Sequence, residues 1–250
     1  MSNRVINTVG TWLVTTKLLS FPRKLVGDIM GRVFKKGVWA VGKTHFVFLV
    51  LYGKHNIDAL DVITEIKKET ELLLTDLEAS QIYTAVKKTE KIDGSVAEVG
   101  TYKGGSAKII REATKKPLHL FDTFEGLPEI SHNDSSTQHH RGQYAASYDS
   151  VKNYLKGYPD IHFYKGLFPS TAQPVKDMQF SFVHLDVDIY GSTLDCLEFF
   201  YPRMSRGGVI ISHDYPNAVG VKKAFDEFFE HKPEIVIRPL GTRQGFLVKT

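Results

Sequence analysis

From residue 94 onward, short apolar runs recur at intervals wide enough to hold a helix between them, and four of them carry an acid at or just past their end. Runs near 96–99, 118–121, 161–164, 180–185, 208–212, 234–238 and 245–249 read as strands. The intervals between the first six permit helical crossovers, so those strands are expected to be parallel. Only 11 residues separate Glu234 from Gly245. A crossover needs about a dozen or more, so the last strand should return antiparallel through a turn at 241–245. The pattern predicts a doubly wound α/β fold with a seven-stranded, mostly parallel sheet and an antiparallel last strand.

The 250 residues, 42% apolar and 12% aromatic, can bury the core of one α/β domain with an appendage, which rules out wholesale disorder. The single cysteine, Cys196, excludes an intramolecular disulfide framework and a cysteine-rich zinc site. It fits a reducing, cytoplasmic setting. A net charge of +4 is too even to indicate nucleic acid. The layout is lopsided, however. Residues 1–56 hold nine Lys or Arg and one acid, Asp28, while the other 194 hold 23 bases and 27 acids. Trp12 and Trp39 also lie in the basic segment, whose longest uncharged runs, 5–16 and 44–53, are well short of the roughly 20 residues that span a bilayer. Asn7, Gly10 and Thr11 interrupt residues 1–22, which therefore do not read as a signal peptide. Residues 1–56 thus form a basic, apolar extension ahead of a domain at 57–250. Its plainer role is an arm packed on the domain or on a second subunit of a homo-oligomer. The other is peripheral contact with a membrane surface.

Residues 57–92 read as a helical lead-in. Ile57, Leu60, Ile63, Ile66 and Leu73 keep mostly helical spacing over 57–74. Thr75 with Glu78 forms a capping box that opens a second helix through Ile82 and Val86 to about Lys91. Asp93-Gly94 then turns the chain into the sheet.

The first sheet strand ends in Glu98-Val99-Gly100-Thr101-Tyr102-Lys103-Gly104-Gly105-Ser106, ahead of a helix. Gly100, Thr101, Tyr102 and Ser106 would bring backbone and free helix-start amides against a ligand. The glycine gap is wider than in G-x-G-x-x-G, and Glu98 precedes it. An acid there suits a ligand that carries an ammonium, as S-adenosylmethionine does, and repels a pyrophosphate. Asp122, 24 residues after Glu98, ends the second strand, where a carboxylate can accept from both ribose hydroxyls. Gly166 and Phe168 follow the third strand, where an adenine would lie against apolar side chains.

The fourth strand ends in Asp186 and Asp188, the fifth in His213 and Asp214. Parallel strands open on one edge, so Asp186, Asp214 and His213 can converge on one divalent cation, Mg²⁺ or Mn²⁺ for an oxygen-rich set. The polar stretch 131–141, with His132, His139 and His140, reads as a loop over the acceptor. His139 is its candidate base or acceptor contact, although the histidines also read as solvated loop residues.

Three of these segments together are specific. The 98–106 turn, Phe121-Asp122-Thr123-Phe124-Glu125-Gly126-Leu127-Pro128, and His184-Leu185-Asp186-Val187-Asp188-Ile189-Tyr190 resemble the TylF/MycF, macrocin-type O-methyltransferase family. Ser192-Thr193-Leu194-Asp195 and Gly207-Gly208-Val209-Ile210-Ile211 with Asp214-Tyr215 extend the likeness over roughly 75–250. The resemblance implies a class I, Rossmann-like fold, S-adenosylmethionine, a divalent metal such as magnesium, and methylation of sugar hydroxyls on natural products. It also implies Asp188 as the base, being the second acid of the family's D-x-D. His213 departs from it, standing where the family has the first acid of a pair. The lysine base of catechol-type relatives is absent, since Ile189 holds that position. The expected partner is a small-molecule or glycan acceptor. Two rival readings are an NAD-type oxidoreductase and a non-catalytic, membrane-associated protein that kept the fold.

Overall fold

The computed structural model describes residues 38–40, 49–51, 54–134 and 139–250. Most of the basic extension, including Trp12, and residues 135–138 of the polar stretch lie outside the described residues. The chain divides into two compact units, Met1–Asp61 and Val62–Thr250. In the first, β1 (Val38–Ala40) pairs antiparallel with β2 (Leu49–Leu51). Among the described residues, no helix is long and apolar enough to cross a membrane.

Helix α1 (Lys54–Glu69) stops five residues short of the expected end. Leu72, Leu73 and Leu74 instead line a cavity wall, which their apolar side chains favour over continued helix. Helix α2 (Asp76–Lys88) opens on the expected capping box: the Glu78 amide donates to Thr75 Oγ1 (3.2 Å) and the Thr75 amide to Glu78 Oε2 (2.9 Å). Its residues Ala79, Ile82, Tyr83 and Val86 recur at helical spacing and are buried.

The second unit is built on a six-stranded sheet. Its strands are β3 (Ser95–Val99), β4 (Leu118–Asp122), β5 (Ile161–Lys165), β6 (Phe180–Leu185), β7 (Met204–Ser212) and β8 (Gly245–Val248). Their order is β5-β4-β3-β6-β7-β8, parallel except for β8, which runs antiparallel to β7 as expected. Helices α3 (Gly105–Ala113), α4 (Tyr148–Tyr154) and α5 (Tyr190–Phe200) lie in the crossovers from β3 to β4, β4 to β5 and β6 to β7. Helix α6 (Val219–Phe229) precedes the antiparallel β8, and the β5–β6 connection carries only a 3-10 turn at Gln173–Val175. Ala97, Val99, Phe121, Val183 and Leu185 form one core with Leu197, Phe200 and Phe225 of α5 and α6. The alternate residues Val96, Leu120 and Phe182, also buried, point to the other side of the pleat.

The strand expected at 234–238 is not formed; only a bridge, Ile237 to Phe246, remains. This segment is the outer edge beyond β8, flanked by Pro233 and Pro239, and proline has no N–H to give a ladder. Ile235 is 80% exposed and Ile237 57%, so among the described residues that face is left uncovered. The sheet therefore has six strands rather than seven. The chain reverses its direction of growth between β3 and β6, and a crevice opens at their carboxyl ends.

Candidate functional site

One cavity occupies that crevice, with an empty volume of about 1050 Å³ counted out to its open mouth. That is room for a nucleoside cofactor and part of an acceptor. Gly100, Thr101, Tyr102, Ser106, Asp122, Gly166 and Phe168 line one half, and Asp186, Asp188, His213 and Asp214 the other. Two candidates lie outside this lining. Glu98 is fully buried behind it, and His139 stands beside Tyr144, ring centroids 6.5 Å apart.

Gly100 shows how the halves are joined. Its φ is 86°, and a Cβ there would fall 1.8 Å from the Asp186 carbonyl oxygen. The Asp186 amide donates to the Val99 carbonyl at 2.9 Å. The glycine is thus required by the neighbouring aspartate turn as well as by any ligand.

Asp122 serves the same turn. Its Oδ2 accepts from the amides of Thr101 (2.7 Å) and Tyr102 (2.9 Å), and its Oδ1 from that of Phe124 (2.6 Å). A carboxylate has about four acceptor positions, so about one remains for a ribose rather than the two expected. Burial pushes its pKa up, and the three amides oppose that rise. Helix α3, which follows, begins at Gly104 with no side-chain cap, leaving first-turn amides for a ligand.

Beneath the turn, Glu98 Oε1 lies 2.8 Å from His184 Nδ1, both side chains fully buried. Burial raises the Glu98 pKa, and the His184 contact and the Ser106 hydroxyl, at the start of α3, oppose it.

In the other half, His213 Nδ1 lies 3.1 Å from Asp186 Oδ1 and 2.9 Å from Asp214 Oδ2. The ring therefore faces the aspartates. Its Nε2 lies 3.9 Å from Glu78 Oε2. Burial disfavours the imidazolium, yet Asp186, Asp214 and Glu78 push its pKa up to about 12. Burial likewise works against the Glu78 carboxylate, but His213 and the amides of Arg243 and Thr75 hold it well below its ordinary range. Asp188, with φ 61°, is pushed far up, first by burial and then by Asp186 and Asp214.

One donor atom from each of Asp186, His213 and Asp214 lies within 4.8 Å of the others. The 2.9 and 3.1 Å separations are hydrogen-bonding contacts of the His213 ring with the two carboxylates. Neighbouring ligands of an octahedral ion with bonds of about 2.1 Å are also about 3.0 Å apart, so the set would fit a divalent cation once the imidazolium gives up its Nδ1 proton. Were the ring nitrogen a ligand, it would move the preference of the set from Mg²⁺ toward Mn²⁺, Fe²⁺ or Zn²⁺.

Several site residues carry no signal in the sequence. Arg243, from the turn before β8, donates its amide to Glu78 Oε1 (2.8 Å), and its Nη1 lies 3.4 Å from Asp214 Oδ1. Tyr144 lines the cavity with φ 64°, and its ring stands edge-on to Tyr102 at 6.1 Å. Burial and the charges of Asp188, Asp214 and Asp186 raise its pKa. Glu78 is legible as a cap, but not as a neighbour of His213.

Comparison with known proteins places these features among relatives. The family model described as Macrocin-O-methyltransferase (TylF) matches residues 75–240. An 8-demethyl-8-(2,3-dimethoxy-alpha-L-rhamnosyl)-tetracenomycin-C 4'-O-methyltransferase of Streptomyces olivaceus is 30% identical over 140 residues, 50% of this chain and 54% of that protein. The mycinamicin III 3''-O-methyltransferase of Micromonospora griseorubida is 28% identical over 142 residues, 50% of this chain and 56% of its own. The chain thus spans about half the length of the curated relatives it matches. Among solved structures, the O-methyltransferase NovP superposes with a TM-score of 0.64 at 19% identity, covering 91% of this chain and 99% of that one, a likeness of fold.

Proposed function

The chain belongs to the macrocin O-methyltransferase family, and from that premise we propose that it moves the methyl group of S-adenosylmethionine to a hydroxyl of a sugar or glycosylated natural product. One observation carries this reading: a single cavity is lined both by the 98–106 turn with Asp122 and by the carboxylate cluster at the ends of β6 and β7.

The free amides at the start of α3 would receive the carboxylate of the methionine end, Glu98 behind them would balance its ammonium, and the remaining acceptor position of Asp122 would take a ribose hydroxyl. Gly166 and Phe168 offer the adenine an apolar wall. In the transfer, the carbon–sulfur bond breaks as the carbon–oxygen bond forms in line. The sulfur keeps its electron pair, and the hydroxyl proton passes to a base. Asp188 is the residue proposed to take it, because its burial and like-charged neighbours favour the protonated form. His139, outside the cavity lining, is the weaker candidate. Asp186, Asp214 and His213 would hold a divalent cation, which when bound makes a hydroxyl easier to deprotonate. Positioning of two reactants in one cavity should supply much of the rate.

Calorimetry with S-adenosylhomocysteine tests the reading, with binding expected in the micromolar range. Methyl transfer from labelled S-adenosylmethionine to rhamnosylated acceptors, with Mn²⁺, Mg²⁺ or chelator, tests its second half. A wild-type chain that binds no S-adenosylhomocysteine would overturn it. The +8 balance of residues 1–56 supports peripheral contact with an anionic surface. Removing those residues should abolish salt-sensitive co-sedimentation with phosphatidylserine vesicles; unchanged sedimentation would leave them an arm for packing or a dimer.

A further inference from the structure

Helix α5 starts two residues after Asp188, and its N-cap, Ile189, contributes no side-chain cap. The missing acceptor comes from 56 residues upstream: Asp134 Oδ1 accepts the Tyr190 amide at 2.6 Å. A carboxylate at a helix start is favoured by the macrodipole and satisfies one otherwise unpaired amide.

Gly220, the second residue of α6, makes the seat. A Cβ there would lie 1.9 Å from Asp134 Oδ1 and 2.9 Å from the Tyr190 nitrogen. Its φ is outside the left-handed region, so the helical backbone itself does not call for glycine. The space does. The seated turn is tied further: Ser131 Oγ donates to Asp134 Oδ2 (2.7 Å), and Lys223 Nζ of α6 to Asn133 Oδ1 (2.8 Å). The Tyr190 hydroxyl donates to Glu227 of α6 at 2.7 Å.

On either side of this anchor the same connection supplies cavity residues, Leu127 and Pro128 before it and Gln143 and Tyr144 after it. On the sheet side lies the 186–188 turn, held tight by an Ile189 amide that donates to the Val187 carbonyl at 2.7 Å and by the left-handed Asp188. We propose that Asp134, seated by Gly220, is a positioning residue that fixes the Asp188 turn through the Tyr190 amide and couples it to the connection forming the acceptor side of the cavity. The role of Asp188 in this inference rests on the methyl-transfer reading; the anchor does not.

Amide exchange followed by NMR on the full chain with S-adenosylhomocysteine tests it in Asp134→Ala, Asp134→Asn and Gly220→Ala. Asp134→Ala and Gly220→Ala should each speed exchange at Tyr190 about tenfold, the size of a lost helix cap. Asp134→Asn keeps an acceptor oxygen and should stay within about threefold of wild type. S-adenosylhomocysteine affinity should hold in all three. If Gly220→Ala only strengthens protection along α6, as an ordinary Gly→Ala change in a helix would, and leaves Tyr190 unchanged, the proposal falls. It also falls if Asp134→Asn behaves like Asp134→Ala. Should Asp134→Ala fail to fold, the other two variants still decide it. Failure of wild-type cofactor binding would instead remove the methyl-transfer reading and leave the exchange result to stand.

Discussion

Glu78 Oε2 stands 3.9 Å from Nε2 of His213, on the opposite side of the ring from the two aspartate oxygens that face Nδ1. The residue that closes the capping box of α2 thus also backs the Asp186–His213–Asp214 cluster at the ends of β6 and β7. Thr75→Ala removes the cap and the hydroxyl that donates to Glu78 Oε2 (2.8 Å), and should cost about 1 kcal/mol. Glu78→Ala also strands the Arg243 amide and removes the carboxylate facing His213 Nε2, while Asp186 and Asp214 still hold the ring, and should cost about 2–3 kcal/mol. Urea unfolding of both variants measures the gap; equal losses would show that Glu78 acts as a cap alone.

Metal choice is expected to follow His213. In His213→Asp an all-oxygen set replaces the mixed one, so calorimetric affinity should shift toward Mg²⁺ relative to Mn²⁺. Asp186→Asn should weaken either metal about tenfold or more, in line with the loss of a direct ligand. Unaltered metal preference in His213→Asp would take the imidazole out of the ligand set.

Asp122 and Glu98 should fail in different ways. Asp122→Ala releases three backbone amides of the cofactor turn, and S-adenosylhomocysteine affinity should drop by at least about tenfold. Glu98→Ala leaves His184 Nδ1 buried without its hydrogen-bond partner, so its main effect should be on stability, about 1–3 kcal/mol. Glu98→Gln retains the shape and should fold, which isolates its effect on cofactor affinity. Titrations of Asp122→Ala and Glu98→Gln that match wild type would remove both from the cofactor site.

A pH dependence away from the site is set by His119. Burial and the neighbouring His162 lower its pKa from 6.5 to about 4, against the opposing pull of Asp160. A histidine kept neutral in the fold contributes stability that is complete above about 6.5 and is lost as pH falls through about 4. The full loss should be on the order of 3 kcal/mol. His119→Asn, which cannot titrate but can still meet the Tyr164 hydroxyl, should flatten the stability profile between pH 6.5 and 4. A wild-type slope retained in this variant would assign the acid sensitivity to another group.

What the sequence determined by itself is what short-range physics carries. The capping box lies within four residues, and the strands are marked by apolar runs whose spacing admits helical crossovers. Parallel strands then bring Asp122, Asp186 and Asp214 to one edge, so these three acids of the cavity were legible in the sequence, whereas Glu71, which also lines it, was not. At 234–238 the apolar pattern suggested a strand, but between flanking prolines this outer edge makes only the Ile237–Phe246 bridge, and Ile235 and Ile237 face outward. Only the tertiary structure decided which side chains meet across long separations. Nothing local places Glu78 behind His213, aims Arg243 at Asp214, or seats Asp134 against Gly220. Those contacts arise from how helices and loops pack against the sheet ends. Asp122 looked like a free ribose acceptor because its sequence position shows the strand end but not the three amides that fold back onto it.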